Sequence, residues 1–182
     1  TLNGTVAVSG GSITGSPLSS LAIGGNNTAA MTLPGLSGGL LDLTINKTGT
    51  NNTVTLGGNL DVAGSANFTS GALVLGGRTL NLNGTTAVGT GTITGSLTST
   101  INISSSDPSA MILPPVATGL LDFSVNKTGA VNTVTLGADL TVAGVLTLAQ
   151  GSLLINNYRL TINGSVNQTL GTLTGGGTSD LS

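Results

Sequence analysis

The chain has no cysteine, histidine or tryptophan, and because its six acidic residues are all aspartate, it has no glutamate either. Charged residues make up 5% of the 182 residues, and aromatic residues make up 2%. General acid–base catalysis draws mainly on histidine and glutamate, and zinc-type sites draw on histidine and cysteine. The sequence therefore predicts no enzyme, no cofactor and no metal centre.

The low charge and the lack of long apolar runs argue against several other classes. Disordered chains combine low hydropathy with high net charge, whereas this chain has a mean hydropathy of +0.41 and a formal charge of −2. No apolar run approaches the roughly 20 residues of a transmembrane helix. Four basic residues are too few for a surface that binds phosphates. We expect a folded chain with no membrane span and no nucleic-acid partner.

The chain contains an 80-residue internal repeat that needs no gap. Residues 41–49 read LDLTINKTG, and residues 121–129 read LDFSVNKTG. Met31 and Pro34 return as Met111 and Pro114. A repeat with a fixed period is the sequence signature of a stacked architecture. We predict one continuous segment over residues 1–182, with units at 1–79 (entered within a unit), 80–159 and 160–182 (partial).

Alternating apolar and polar residues predict short strands with one buried face. Three interleaved strand series recur at steps of about 20 residues, and glycine and asparagine fall between the strands, where they favour corners. This pattern indicates an all-β fold, a parallel β-helix (β-solenoid) of three-sided coils of about 20 residues, with four coils per 80-residue repeat and about nine coils in all. Right-handed winding is expected from the usual crossover preference.

The cadence of residues 121–164, LTIN-like segments followed by VTLGxxLxVxGxLxLxxG, resembles the repeats of large surface and secreted proteins that gliding bacteria export through the type IX pathway. More loosely, it is similar to the β-helical stalks of autotransporters and filamentous adhesins. The resemblance implies extracellular display, adhesion or filament building, and it transfers no catalytic residues. The absence of cysteine fits a secreted bacterial protein, and the start at Thr1 without a signal peptide indicates a piece of a longer polypeptide.

One strand series predicts a flat, uncharged face on which Thr-x-Thr pairs alternate with small or aliphatic residues. The candidate ligand or lateral-contact residues on it are Thr53, Thr55, Thr92, Thr94, Thr133, Thr135, Thr172 and Thr174. Ice-binding solenoids carry Thr-x-Thr on every coil, whereas this series carries it on alternate coils. Ice or glycan binding, lateral packing, and the plain β-propensity of threonine all remain open.

The prolines predict a second candidate contact region. Because proline donates no hydrogen bond to a ladder, we expect loops that bulge from the coil at residues 31–39 and 111–119, with Pro34 in the first and Pro114 and Pro115 in the second. Such a loop either makes a lateral contact or only lets the coil close.

The carboxylates do not predict an active site or a calcium site. Asp42 with Lys47, and Asp122 with Lys127, recur at the repeat period and are interpreted as structural pairs near a turn. Asp139 and Arg159 are expected to stack as an exposed ion pair. A polysaccharide-active enzyme would need converging carboxylates, and calcium would need an oxygen cage, but the aspartates are scattered along the chain.

These observations together predict a structural segment of an extracellular filament or of an adhesin stalk on the bacterial cell surface. Its expected partners are further copies of the same repeat joined end to end, since open β-helix ends are unpaired edges. Other surface proteins or glycans remain possible partners. The alternatives are a ligand-binding solenoid that uses the threonine face and, less favoured, a polysaccharide-active enzyme.

Overall fold

The computed structural model describes residues 1–3, 11–26 and 29–182, which form twenty strands and no helix. The strands are β1 (Ile13–Gly25), β2 (Met31–Leu33), β3 (Leu36–Lys47), β4 (Thr53–Leu56), β5 (Leu60–Val62), β6 (Ser65–Ser70), β7 (Ala72–Val74), β8 (Thr79–Leu82), β9 (Thr85–Val88), β10 (Thr92–Ser105), β11 (Met111–Leu113), β12 (Val116–Lys127), β13 (Thr133–Leu136), β14 (Leu140–Val142), β15 (Val145–Gln150), β16 (Ser152–Asn156), β17 (Arg159–Ile162), β18 (Ser165–Gln168), β19 (Thr172–Gly175) and β20 (Asp180–Leu181).

Nearly every strand before the last turn pairs in parallel with the strand one turn further along the chain, and the exception is β9. Leu60 of β5 pairs with Leu80 of β8, for example, and Leu140 of β14 pairs with Leu160 of β17. The paired strands stack into a β-solenoid of about 8 turns. The predicted all-β, parallel β-helical fold is therefore confirmed, with about eight turns where nine were expected, while the right-handed winding stays a prediction.

The turns have three sides, and the pairings define which segments share a side. Side 1 holds the first parts of β1 and β3, then β5, β8, the second parts of β10 and β12, β15 and β18. Side 2 holds the second parts of β1 and β3, then β6, β9, β11, β13, β16 and β19. Side 3 holds β2, β4, β7, the first parts of β10 and β12, β14, β17 and β20.

One repeat does not bring the chain back to the same side. Met31 lies on side 3, whereas its counterpart Met111 lies on side 2. Between them the chain makes three full turns and passes two further sides, eleven sides in all. The expected four coils per repeat are corrected to three and two-thirds, so the average turn is longer than expected. Successive copies are consequently rotated by one side.

Extra residues in bulges explain why fewer sides fit into one repeat. Ser96 and Thr100 pair with Leu120 and Asp122, so four steps on β10 oppose two on β12. The bulge raises Leu97 to 59% exposure, and the corresponding bulge in β1 leaves Leu18 86% exposed. Each of the two bulges therefore carries one exposed leucine at its tip.

The proline segments are corners of the coil and not protruding loops. Residues 31–39 and 111–119 form β2, β11 and the beginnings of β3 and β12. Pro34, Pro114 and Pro115 occupy the two-residue breaks between these strands, and Pro114 is buried. A corner tolerates proline because the backbone N–H that proline lacks is not needed there for a ladder hydrogen bond. The carbonyl of Pro115 even accepts a hydrogen bond from the Ile93 N–H at 2.8 Å, so the predicted bulging loops are wrong.

The inward side chains form a continuous aliphatic column. On side 1, Leu60, Leu80, Ile101, Phe123 and Leu146 are at most 1% exposed. The residues that flank them point outward, as the alternation predicted, and all of these neighbours except Val145 are polar. Burial of such side chains contributes about 1.5–3 kcal/mol each relative to exposure, so the column is the main source of stability.

Side 2 is interrupted once. The strands form one 16-stranded sheet and a separate 4-stranded sheet of β11, β13, β16 and β19. At the boundary between β9 and β11, the hydroxyl of Thr86 donates to the carbonyl of Ile112 at 2.6 Å. The break follows the connection between β10 and β11 at residues 106–110, where the chain leaves side 1.

Candidate functional site

The eight threonines of the predicted face lie on two different sides. Thr53, Thr55, Thr92 and Thr94 belong to β4 and β10 on side 3. Thr133, Thr135, Thr172 and Thr174 belong to β13 and β19 on side 2. The structure therefore brings together two groups of four and does not form one array.

The two groups have the same internal layout. In the first threonine strip, Ala72 and Val74 lie between the pairs Thr53/Thr55 and Thr92/Thr94. In the second threonine strip, Ser152 and Leu154 lie between the pairs Thr133/Thr135 and Thr172/Thr174, and the Ser152 and Thr174 hydroxyls form a hydrogen bond at 3.2 Å. Each strip thus spans three stacked strands and carries no charged side chain.

The strips separate because the strand after β10 on side 3 is not β11. Thr94 pairs with Ala117 of β12, whereas Ile112 of β11 pairs with Thr135 of β13. The spacing of the strands in the sequence predicts that Ile93 and Met111 lie on the same side of the coil. The bulge in β10 and the connection at residues 106–110 instead place Met111 on the adjacent side. An extended hydroxyl lattice along one face is therefore not present among the residues that the structure describes.

The repeated aspartates bind backbone amides of the following turn. Asp42 accepts a hydrogen bond from the Ser65 N–H at 2.8 Å, and Asp122 accepts one from the Val145 N–H at 2.7 Å. Neither carboxylate pairs with the lysine of its own motif in the hydrogen bonds and ion pairs described. The predicted Asp–Lys pairing is therefore corrected: each aspartate ties one turn to the next.

The repeated lysines lie in the core. Lys47 and Lys127 are both 0% exposed. The Lys47 ammonium donates to the Ala29 carbonyl at 2.8 Å, and the Lys127 ammonium donates to the Asp107 carbonyl at 2.7 Å. Each lysine thus holds the connection of the preceding turn. Sequence reasoning placed these lysines at a corner, although Lys47 continues the alternation of Leu43 and Ile45, which was the available signal of an inward side chain.

Asp107 and Lys127 influence each other's ionisation. Burial lowers the pKa of the Lys127 ammonium, and the charge of Asp107 partly opposes this effect. The pKa of Asp107 is lowered, mainly because the Ser109 backbone N–H donates to its Oδ1 at 2.8 Å. Gly129 packs directly against the Asp107 backbone, because a Cβ at residue 129 would lie 2.0 Å from the Asp107 carbonyl oxygen.

An open pocket of about 260 Å³ lies beside this connection. It is lined by Ala63, Gly64, Ser65, Asn83, Gly84, Thr85, Ser106 and Asp107. Its walls carry hydroxyl and amide groups and one carboxylate, and they carry no aromatic ring on which a sugar could stack.

The other charged residues are dispersed. Arg159 forms its ion pair with Asp180, at 2.7 Å, and both side chains are at least half exposed. Asp139 instead accepts a hydrogen bond from the Arg159 backbone N–H at 2.9 Å, so the predicted Asp139–Arg159 ion pair is wrong. Within the described ranges, no three potential metal-binding side chains lie together, and no helix could span a bilayer.

Side 1 carries a ladder of polar side chains that sequence reasoning did not identify. The Asn102 side-chain amide donates to the Asn81 carbonyl oxygen at 2.8 Å, and the Asn81 amide donates to Asp61. The sequence predicts asparagines at the corners, but this ladder lies in the middle of strands β5, β8 and β10. It links three turns on the outer surface.

No protein-family profile, curated protein or solved structure matches the chain. The fold supports a structural repeat or rod-like role, and any finer assignment depends on the geometry described above.

Proposed function

We propose that this chain is a structural segment of an extracellular filament or of an adhesin stalk on the bacterial cell surface. The observation that carries the proposal is the stacking of about 8 turns around one aliphatic core. At about 4.8 Å per turn, the described turns form a rod roughly 38 Å long. Its length would grow with the number of repeats.

Contacts between turns support a mechanical role. Besides the backbone ladders, Asp42 and Asp122 bind the turn that follows, and Lys47 and Lys127 bind the turn that precedes. The same set of cross-links therefore occurs once per repeat. Such contacts resist separation of neighbouring turns, which is the deformation that tension along the axis would cause.

The low charge supports a role in a variable external medium. The exterior carries few ionisable groups, so few surface groups can link the stability to proton binding. The proposal includes no turnover of a substrate. The partners in this proposal are further copies of the repeat joined end to end, within the same polypeptide or another subunit.

Electron microscopy of arrays with increasing numbers of the 80-residue unit tests the proposal. Three and two-thirds turns per unit predict an increase of about 18 Å in rod length for each added unit, at constant width. The matched control is an array of equal mass in which Leu80 and Ile101 are replaced by asparagine, which interrupts the core. Particles whose length does not depend on repeat number would contradict the proposal.

Ligand binding by the two threonine strips is the second candidate. It is favoured by the flat, uncharged arrangement of Thr-x-Thr rungs, but each strip holds only two such rungs. Thermal hysteresis and glycan-array binding should both be measured for the T92Y/T94Y and T172Y/T174Y variants. Activity that either variant reduces would support binding through that strip, and hysteresis or binding unchanged in both variants would exclude the strips.

A further inference from the structure

The connection between β10 and β11 contains the only aspartyl–prolyl bond of the chain, Asp107–Pro108. The carbonyl of this bond accepts a hydrogen bond from the Lys127 ammonium at 2.7 Å. A cation directed at a carbonyl oxygen stabilises the negative charge that develops there when a nucleophile attacks. Because Lys127 is fully buried, water screens this interaction little.

The first copy of the repeat offers an internal comparison. Lys47 also donates to a carbonyl of the preceding connection, at Ala29. The lysine contact alone therefore serves the fold in both copies. At the positions of Asp107 and Pro108, however, the first copy has Asn27 and Thr28, which lie outside the described residues. The carboxyl group and the prolyl nitrogen occur together with the lysine only in the second copy.

Two hydrogen bonds fix the side chain and the backbone of Asp107. The Ser109 N–H donates to Oδ1 at 2.8 Å, and the Asp107 N–H donates to the Ser105 hydroxyl at 3.1 Å. Attack of an aspartyl carboxyl oxygen on the carbonyl of the same residue closes a five-membered ring, and such preorganised intramolecular reactions have high effective concentrations. Pro108 is exposed, so the departing amine can be solvated.

We propose that the folded chain cleaves its own Asp107–Pro108 peptide bond. The Asp107 carboxyl oxygen bonds to the Asp107 carbonyl carbon, the bond from that carbon to the Pro108 nitrogen breaks, and the carboxyl proton passes to that nitrogen. Water then opens the cyclic anhydride and restores the Asp107 side chain. One water is consumed, and the products are residues 1–107, ending in a carboxyl group, and residues 108–182, beginning with a prolyl amine.

The reaction occurs once per molecule and therefore differs from turnover of a substrate. It rests on the site around Asp107 and is independent of the proposed rod function. Strands on both sides of the cut remain paired, since β10 pairs with β12 and β11 pairs with β13. The two fragments would consequently stay associated until the protein is denatured.

The test is incubation of the purified full chain at several pH values between about 5 and about 3, because the reaction needs a protonated Asp107 carboxyl and the pKa of that group is lowered, followed by denaturation and mass measurement at each pH. We expect two fragments that meet at Asp107 and Pro108. The folded chain should cleave faster than the same chain in urea by on the order of 10²-fold, the loss typical when one oxyanion donor is removed. This comparison needs no variant and therefore holds even where a substitution prevents folding.

Single substitutions test the roles of the lysine, the aspartyl carboxyl group and the proline in the cleavage. K127M should slow the cleavage by a similar factor, whereas K47M, the matched lysine of the first copy, should leave it unchanged. D107E forces a six-membered ring and P108A replaces the prolyl leaving group, so both should abolish the fragments while keeping Lys127. Equal rates in folded and unfolded chains, absence of fragments, or unchanged cleavage in D107E would overturn the proposal.

Discussion

We expect that adding a single methyl group at Gly84, in the corner after β8, strongly destabilises the protein. A Cβ at Gly84 would come within 2.1 Å of the Gly64 carbonyl oxygen one turn below. That same oxygen accepts a hydrogen bond from the Thr85 N–H at 3.1 Å. Since real Cβ atoms do not approach oxygen so closely, the G84A substitution has to move the two turns apart locally.

The magnitude follows from what this movement disrupts. An unmade hydrogen bond at a buried group costs about 1–3 kcal/mol, and overpacking costs about 1–3 kcal/mol more. Replacing glycine also restricts the unfolded chain, which stabilises the native state by about 0.4–1 kcal/mol. We therefore expect G84A to lower the free energy of unfolding by about 1–5 kcal/mol.

The assay is equilibrium unfolding in urea followed by circular dichroism, with hydrogen exchange to locate the effect. The matched control is G177A, because a Cβ at Gly177 meets no atom within 4 Å. Hydrogen exchange should accelerate in β5, β8 and β9, next to the corner, and much less in β17 and β19. If G84A matched G177A in stability to within about 0.5 kcal/mol, the usual range for surface substitutions, the argument that the turns are in contact at this glycine would be refuted.

Three further predictions concern the core, the buried lysine and the surface ion pair. F123A should destabilise the protein by about 3–5 kcal/mol in urea unfolding, since Phe123 is fully buried in the middle of the stack, and a loss below about 1 kcal/mol would contradict the continuous core. Because the pKa of Lys127 is lowered from 10.5, the folded chain binds fewer protons than the unfolded chain above the lowered pKa, and stability should rise with pH through that pKa towards 10.5. Urea titrations from neutral to alkaline pH measure this rise relative to K127M, in which it should be reduced, and an equal or larger rise in K127M would oppose the assignment. R159A should cost about 1 kcal/mol or less, because its partner Asp180 is half exposed, and high salt should reduce even that cost.

The strand pattern could be predicted from the sequence because each buried position alternates with an outward one. Leu43, Ile45 and Val54 are core positions by this alternation, and all three are fully buried. The parallel stacking followed from the repeat, since near-identical segments occupy equivalent places in successive copies. Local alternation and long-range periodicity therefore sufficed for the fold class.

The number of sides per repeat could not be predicted because the period of a repeat does not show how many residues each side uses. The bulge at Ser96–Thr100 lengthens a strand without adding a side, and the Pro114–Pro115 corner takes two residues where a loop was expected. Both features resemble ordinary polar or proline-rich spacing in sequence. The two threonine strips were joined into one face for this reason, and the inward position of Lys127 was missed because a charged residue was assumed to face water.

Rotation by one side per copy determines how any array of these repeats would present its surface. Leu43 lies on side 2 and its counterpart Phe123 on side 1, so the outward neighbours of the motif also move to an adjacent side. Three copies, which together make eleven turns, return a feature to its starting side. A threonine strip or an exposed bulge tip would consequently occur on all three sides at regular axial intervals. Lateral contacts through such features would surround the rod and would not form a single adhesive face, which favours bundles of rods over flat sheets.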